Sequence, residues 1–222
     1  MNTTELFLTG LDVVGLSLDH DVVVKELTFL QELLRWNRKI NLTSITDVEE
    51  AIEKHLLDSL CLINYLPPCR TILDMGSGAG LPGIPLALAL PELGIVSVDS
   101  VGKKINFQKH IKRIMKLERF VALEARVETL ATKIPAVKID LVTARAFTSI
   151  EQLIKLSSAL LEPGGFLLAM KGPEGYREVQ RVHHVVREAG FSEPEIIEYK
   201  LPFSSAERQL LLLRKNHLEN RG

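Results

Sequence analysis

The first third of the chain carries apolar residues at helical spacing. From Asp21 onward, one helical face is formed by Val24, Leu27, Phe29, Leu30, Leu33, Leu34 and Ile40. A second helix is predicted from about Asp47 to Tyr65, where Asp47 and Glu50 fit a capping box and two prolines follow the end. Its predicted buried residues are Ile52, Leu56, Leu57 and Leu60. The residues before Asp21 are only weakly patterned.

The pattern changes at Arg70, where short apolar runs begin to alternate with helical segments. The runs are "TILDM", "GIVSVD", "FVALEA", "IDLVTA" and "GFLLAM". Helices are predicted near 82–90, 102–116, 148–161 and 174–190. Alternation of strand and helix is typical of a parallel sheet covered on both faces. The nearly continuous apolar character of the runs agrees, because such strands are buried on both sides.

The end of the chain departs from this alternation. "EIIEYKLP" and "RQLLLLRK" follow each other with no helix between them, which predicts a hairpin and an antiparallel edge of the sheet. The predicted fold class is α/β, a doubly wound, mostly parallel seven-stranded sheet with an N-terminal helical extension. We divide the chain into this extension, residues 1–66, and a sheet domain, residues 67–222.

Composition and charge exclude several classes of protein. The 222 residues have a net charge of −1, which gives no global reason to bind nucleic acid or an anionic membrane but allows a local patch. Cys61 and Cys69 show no metal-binding spacing and indicate reduced thiols. The most apolar window, 79–98, is interrupted by prolines, and the first thirty residues lack a secretory pattern. We expect a cytoplasmic protein with no metal.

A glycine-rich loop follows the first predicted strand, where ligands bind in open α/β sheets. Gly78, Gly80 and Gly83 match the dinucleotide pattern, but that match starts four residues after Asp74. The series Asp74, Gly76, Gly78 and Gly80 fits better, with the acid closing the strand. This series suits S-adenosylmethionine, which has an ammonium group for Asp74, directly or through water, and no phosphate.

The second predicted strand ends in another acid. Asp99 lies 25 residues after Asp74, and its carboxylate can accept both hydroxyls of a ribose. NAD-binding proteins share this feature, so Asp99 indicates a nucleoside without choosing one. The reversed final strand favours the Rossmann-like sheet of class I S-adenosylmethionine methyltransferases. An NAD-dependent oxidoreductase, a non-catalytic RNA-binding module and a glycine loop that only makes a turn stay open at this point.

Longer motifs resemble a known family. "WNRKINLTSI" (36–45), "HLLDS" (55–59), "DMGSGAGLPGIPL" (74–86), "DSVGKKINF" (99–107), "ARAF" (144–147) and "ERQLLLL" (207–213) are similar to RsmG, also called GidB. This family methylates bacterial 16S ribosomal RNA. The resemblance extends from about residue 30 to Arg214. It implies S-adenosylmethionine as cofactor, N7 of a guanine in the 530 loop as target, and 16S RNA or the small ribosomal subunit as partner. We expect a monomer.

The resemblance also implies particular cofactor contacts. By position in the motifs they are Gly76, Leu81, Val127, Glu128 and Arg145. Ala144 departs from the family pattern, where a serine is expected, and this leaves Arg145 unaffected. Guanine N7 has a lone pair and no proton, so no strong general base is needed. We hypothesise that Arg145 orients the cofactor, an RNA phosphate or both; the alternative is a structural ion pair.

Basic residues supply candidate RNA contacts. These are Lys103, Lys104, Arg126, Lys171 and Arg208. One face of the predicted helix 102–116 also carries Lys109, Lys112, Arg113 and Lys116. Such a face can bind phosphates, or it can be an ordinary solvated surface.

Three polar residues share a face of the second predicted helix. His55, Asp58 and Ser59 either form a local structural network, which we favour, or bind RNA. Trp36 orders the turn after the first predicted helix or stacks on a base.

Overall fold

A computed structural model gives the fold of the chain, and it describes residues 2–134, 137–145 and 147–217. Ala146 in the 144–147 motif and the last five residues of the predicted sheet domain lie outside the described residues.

The helical region begins earlier than the pattern predicts. Helix α1 covers Thr3–Val13, and Asn2 caps it through a capping box with Glu5. Helix α2, His20–Ile40, agrees with the predicted first helix. The predicted second helix is helical throughout but mixed in type. It consists of α3 (Val48–Ala51), a π-helical segment (Ile52–Leu57), α4 (Asp58–Leu60) and a 3₁₀ segment (Cys61–Tyr65).

Seven strands form one sheet, which confirms the predicted fold class. They are β1 (Thr71–Met75), β2 (Gly94–Asp99), β3 (Phe120–Glu124), β4 (Ile139–Arg145), β5 (Leu161–Lys171), β6 (Glu195–Lys200) and β7 (Glu207–Arg214). Their order is β3-β2-β1-β4-β5-β7-β6. The first five strands are parallel, so their carboxyl ends define one end of the sheet, here called the ligand end.

The helices between strands also follow the pattern, with two differences. They are α5 (Gly83–Ala89), α6 (Gly102–Met115), α7 (Leu130–Lys133), α8 (Ile150–Leu160), α9 (Gly175–Arg181) and α10 (His183–Glu188). The single helix predicted near 174–190 is interrupted at Val182, between α9 and α10. Helix α7 and the preceding 3₁₀ turn, Val127–Thr129, were not predicted.

The hairpin forms as predicted, but its place in the sheet corrects the expected edge. The reversed strand, β7, lies between β5 and β6, so the edge is β6, which runs in the same direction as β5. Burial explains the choice: Leu210, Leu211 and Leu213 of β7 are fully buried, whereas no residue of β6 is buried. The more apolar strand takes the inner position.

The two faces of the sheet carry separate apolar clusters. One cluster joins the sheet to α1, α2, α5 and α6 through residues such as Phe7, Phe29, Ile84 and Phe107. The other joins it to α8 and α10 through Ile150, Leu153, Ile154 and Val185. The predicted buried residues Ile52, Leu56, Leu57 and Leu60 all belong to the first cluster. The helical extension therefore completes the core on one face.

No helix in the described residues is long and apolar enough to cross a membrane. In the same ranges, no three His, Cys, Asp or Glu side chains converge as a metal site.

Candidate functional site

The glycine loop connects β1 to α5 at the ligand end. Gly76, Gly78 and Gly80 all have positive φ, at 65°, 58° and 88°, a region that L side chains rarely adopt. A Cβ at Gly76 would overlap the ring of Phe147, and one at Gly80 would overlap Ile84. Backbone conformation therefore requires all three glycines, and close packing also requires those at positions 76 and 80.

Asp74 lies behind this loop and not on its surface. Its carboxylate is fully buried, and Oδ2 accepts the backbone N–H of Gly83 at 3.0 Å. Oδ1 has no hydrogen-bond partner among the described residues. Burial raises the pKa of Asp74 to about 7. In this structure Asp74 fastens the loop to α5, and its contact with a cofactor ammonium stays a prediction.

Asp99 ties the glycine loop to the end of β2. Its Oδ2 accepts the N–H of Gly78 at 2.9 Å, and its Oδ1 accepts the N–H of Val101 at 2.8 Å. Lys104 Nζ lies 3.7 Å from Oδ2. Each carboxylate oxygen keeps a second acceptor site, so the group remains able to accept ribose hydroxyls.

Gln108 of α6 holds the same loop and was missed by the sequence analysis. Its side-chain amide donates to Ser77 Oγ at 2.8 Å and to the carbonyl of Gly78 at 2.9 Å. The residue is completely buried. The sequence does contain a sign of this role, because Gln108 is a polar residue on the apolar face of a predicted amphipathic helix.

A first cavity, of about 450 Å³, opens beside the loop. Its lining includes Gly76, Asp99, Lys104, Arg126, Val127 and Glu128. The structure thus brings together residues that the sequence predicted separately, from the ends of β1, β2 and β3. Phe147 also lines it. Leu81 is instead buried in the core, and Arg145 lies beside another cavity.

This second cavity, of about 540 Å³, lies over the ends of β4 and β5. Its charged lining residues are Lys54, Asp58, Arg145, Lys171, Glu178 and Arg208. Four cations face two anions, an excess of two positive charges in a chain whose net charge is −1. Such an excess favours a phosphate-bearing ligand.

Arg145 stands at the end of β4 and binds the helical extension. Its Nη1 donates to the carbonyl of Lys54 at 2.7 Å and lies 3.8 Å from Asp58 Oδ2. Burial lowers the pKa of Arg145, while the Asp58 carboxylate acts in the opposite direction. The guanidinium is partly exposed and keeps donors free for a ligand, because five N–H groups are available.

Asp58 joins three parts of the fold. Tyr199 Oη of β6 donates to its Oδ1 at 2.8 Å, and Arg208 Nε of β7 lies 3.4 Å from the same atom. Burial, followed by the neighbouring Asp58 charge, raises the pKa of Tyr199, so its hydroxyl remains a donor. Asp58 and Arg208 were predicted from the sequence, whereas Tyr199 was not.

Ser59 bonds to the backbone of His55 and the His55 ring bonds to Thr43, so the three polar side chains do not form one network. His55 Nε2 lies 2.9 Å from Thr43 Oγ1, and Ser59 Oγ donates to the carbonyl of His55 at 2.6 Å. Burial, aided by the charge of Arg145, lowers the pKa of His55 to about 4, which keeps the ring neutral at pH 7.

The candidate RNA-binding residues fall into separate groups. Lys104 and Arg126 line the first cavity, Lys171 and Arg208 line the second, and Lys103 is exposed at the start of α6. The basic face of α6 exposes Lys109, Arg113 and Lys116, while Lys112 is half-buried. Trp36 packs against Phe107 and His110, with ring centroids 5.5 Å and 5.0 Å away.

The sequence matches the GidB family, described as rRNA small subunit methyltransferase G, over residues 24–211. One similar protein is Ribosomal RNA small subunit methyltransferase G of Syntrophotalea carbinolica. It is 46% identical over 202 residues, which cover 91% of this chain and 93% of that protein. The protein of the same name from Geobacter sp. strain M21 is 39% identical over 212 residues, or 96% of this chain and 97% of that protein.

Solved structures support the fold at much lower identity. A putative S-adenosyl-L-methionine-dependent methyltransferase from Methanococcus maripaludis superposes with a TM-score of 0.58 at 16% identity. The match covers 86% of this chain and 94% of that one. A predicted O-methyltransferase from Agrobacterium tumefaciens gives a TM-score of 0.55 at 21% identity, covering 67% and 74% of the respective chains.

Proposed function

The chain belongs to the GidB family of rRNA small subunit methyltransferases, and we propose that it transfers a methyl group from S-adenosylmethionine to N7 of a guanine in the 530 loop of 16S ribosomal RNA. One structural observation carries the proposal. The ligand end of the sheet holds two cavities, one built around the glycine loop and Asp99 and the other cationic. A methyltransferase needs one site for its cofactor and another for its substrate.

The first cavity fits S-adenosylmethionine. The missing side chain of Gly76 lets the Phe147 ring pack against the loop, and both residues line this cavity. Asp99 offers acceptor sites to ribose hydroxyls, and Val127 and Glu128 line the same space. The unpartnered Oδ1 of Asp74 behind the loop suits a cationic ammonium, reached directly or through water.

The reaction depends more on how the protein positions the two reactants than on proton transfer by a side chain. When bound, S-adenosylmethionine supplies an electrophilic methyl group on a positively charged sulfur. Guanine N7 attacks with its lone pair and loses no proton, so no residue has to act as a base. What remains is alignment of N7 with the methyl group, and such alignment contributes much of a rate enhancement.

Arg145 is the residue we assign to that alignment. It reaches from β4 into the second cavity, with the carbonyl of Lys54 and the carboxylate of Asp58 holding it on one side. A guanidinium fixed in this way can bind a phosphate of the substrate through its free N–H groups. Partial burial lowers the pKa of Arg145, and an arginine guanidinium stays charged in proteins.

Contacts beyond the cavity come from basic residues. Lys171 and Arg208 extend the cationic lining of the second cavity, Lys104 and Arg126 line the first, and Lys103 is exposed at the start of α6. The exposed face of α6 supplies further charge. Binding through such residues releases counterions, so we expect affinity for RNA to fall with salt.

The decisive experiment uses small ribosomal subunits from cells that lack this methylation. These are incubated with the purified protein and radiolabelled S-adenosylmethionine, and the label is mapped to a nucleotide. Label on guanine N7 in the 530 loop would support the proposal. Binding of the cofactor without label at that position would remove this target, and stabilisation by NAD instead would point to an oxidoreductase.

Arg145→Ala tests the alignment role. We expect kcat/KM for the subunit to fall about tenfold or more, because a positioning contact is lost. Arg35→Ala is the matched control, since Arg35 is an exposed, ion-paired arginine on α2. Near-normal turnover by Arg145→Ala would assign Arg145 to a structural ion pair with Asp58.

Three further expectations stay predictions. These are the division of the chain at residues 66 and 67, the monomeric state and the cytoplasmic location.

A further inference from the structure

Two exposed aromatic rings lie at the ligand end of the sheet. Among the large apolar side chains that the described residues expose, the aromatic ones are Tyr176, at 48%, and Phe203, at 41%. Tyr176 is in α9, a few residues after β5 ends at Lys171. Phe203 is in the β6–β7 turn, which follows the carboxyl end of β6. Because β6 and β5 run in the same direction, both rings are at one end.

A buried side chain holds the backbone under each ring. Glu53, only 4% exposed, accepts the N–H groups of Phe203 and Ser204 through Oε1, both at 2.7 Å. Gln209 accepts the N–H of Tyr176 through Oε1 at 2.8 Å. The backbone that carries each ring is therefore held by a hydrogen bond. This reduces the conformational entropy that the backbone would lose when a ligand binds.

Single exposed apolar residues are common on protein surfaces and need no function. These two differ in their setting. The second cavity, with its excess of positive charge, lies at the same end, and Lys171 is paired in register with Gln209. Arg208, in the same cavity, also lines a smaller one of about 260 Å³ with Pro173 and Tyr199. The cationic side chains of the second cavity thus lie at the same end of the sheet as both rings.

Rings and cations together match unpaired RNA. Aromatic side chains stack on bases that are free of a partner strand, and lysine or arginine between them binds the phosphates. We propose that Tyr176 and Phe203 are stacking platforms for unpaired bases next to the nucleotide that enters the second cavity. This inference rests on the proposed function, since it assigns the substrate RNA to that cavity.

The first test measures binding of a single-stranded RNA oligonucleotide. Tyr176→Ala and Phe203→Ala should each weaken binding roughly 5-fold to 150-fold, the range for losing one stacked base. Tyr176→Phe and Phe203→Tyr should bind as the wild type does, because each keeps a ring. Val24→Ala and Val121→Ala are matched controls, since both remove exposed apolar surface away from the ligand end.

A fully paired duplex of the same sequence separates stacking from charge. The alanine variants and the wild type should bind the duplex equally, because its bases are already stacked. An equal loss of affinity for single strand and duplex would overturn the stacking role. The stacking role would also be overturned if the variant that lacks both rings bound single-stranded RNA as tightly as the wild type.

Methyl transfer to unmethylated small subunits, measured in the same variants, distinguishes this inference from the proposed function. Both proposals are supported if the wild type labels the guanine and the alanine variants show a higher KM for the subunit. The affinity of these variants for the cofactor should be unchanged. If the variant that lacks both rings labels the guanine with the kcat/KM of the wild type, the stacking proposal is overturned and the proposed function is not. Ring-dependent binding of single strands without any label would overturn the proposed target and leave the stacking surface standing.

Discussion

Three buried ionisable side chains show how individual residues respond to this fold. Burial raises the pKa of Asp74 to about 7 and lowers that of His55 to about 4. It also raises the pKa of Glu26 well above its usual range. Neither oxygen of Glu26 has a hydrogen-bond partner among the described residues. In each group burial disfavours the charged form, so the three affect stability in different pH windows.

Glu26→Met is expected to stabilise the protein. A buried carboxyl without a partner costs about 1–3 kcal/mol of desolvation, and an unbranched apolar side chain removes that cost. Urea unfolding at pH 7 should show a higher midpoint. Glu32→Met on the same helix is the control and should not stabilise, because Glu32 binds His110 at 2.9 Å. A loss of stability in Glu26→Met would mean that the carboxyl has a structural role.

Asp74→Asn should change how stability depends on pH. The folded pKa of about 7 exceeds the ordinary value of 3.8, so the folded state holds the proton more tightly than the unfolded state. Stability from Asp74 is therefore lost as pH rises from about 4 to 7, by at most about 1.4 kcal/mol per pH unit.

Urea midpoints at pH 4.5, 6.0 and 7.5 would measure this effect. Relative to wild type, Asp74→Asn should become more stable as pH rises. His55→Gln should show the opposite pH dependence. The lowered pKa of His55 makes the wild type lose stability as pH falls from about 6.5 to 4, so this variant should become more stable relative to wild type as pH falls. A difference between Asp74→Asn and wild type that is constant with pH would contradict the raised pKa.

At the scale of elements, the sequence was most informative where side-chain pattern alone decides structure. The apolar runs predicted the parallel strands β1 to β5, as expected for strands that helices cover, and the absence of a helix between the last two runs predicted the β6–β7 hairpin. Helix α1 was missed, since Phe7, Gly10 and Leu11 are its only buried residues and its start depends on the Asn2 cap. The π-helical segment was missed because its wider hydrogen-bond spacing leaves no distinct sequence signal.

Gly76→Ala tests the turn from β1 to α5. The added methyl group would meet the Phe147 ring beside the first cavity, so we expect S-adenosylmethionine affinity to fall about tenfold or more. Gly190→Ala is the matched control, with φ of 77° and no neighbouring atom within 4 Å. Calorimetric titration and thermal unfolding would measure both effects.

Gly190→Ala should lose only about 1–2 kcal/mol of stability, from its backbone conformation. Its cofactor affinity should equal that of the wild type. If Gly76→Ala also keeps the cofactor affinity of the wild type, the close packing of Phe147 against Gly76 does not affect cofactor binding.

At the scale of the whole molecule, the two cavities differ in how far the sequence could predict them. Residues of the first lie between Gly76 and Phe147, and local motifs identified most of them. The second draws on positions from Thr43 to Arg208, which only tertiary packing brings together. Glu53, Tyr199 and Gln209 lie outside that lining but were missed for the same reason, since each has a partner far away in sequence.

A double-mutant cycle of Asp58→Asn and Tyr199→Phe tests the link between extension and sheet. The 2.8 Å bond joins residues 141 positions apart, and a hydrogen bond to a charged group contributes about 1.5–3 kcal/mol. Unfolding free energies of the four proteins would give the coupling. The same cycle on the exposed Glu151 and Lys155 pair should give nearly zero. Equally small coupling at both sites would contradict a structural role for Asp58.

The long separation between Asp58 and its strand partners also affects the order in which a growing polypeptide can acquire its parts. The ribosome has made every residue that lines the first cavity by the time it reaches Phe147. The second cavity lacks Arg208 until the last strand has begun. A nascent chain can therefore contain every residue of the first cavity while the second still lacks one of its cations, so translation completes the two cavities one after the other.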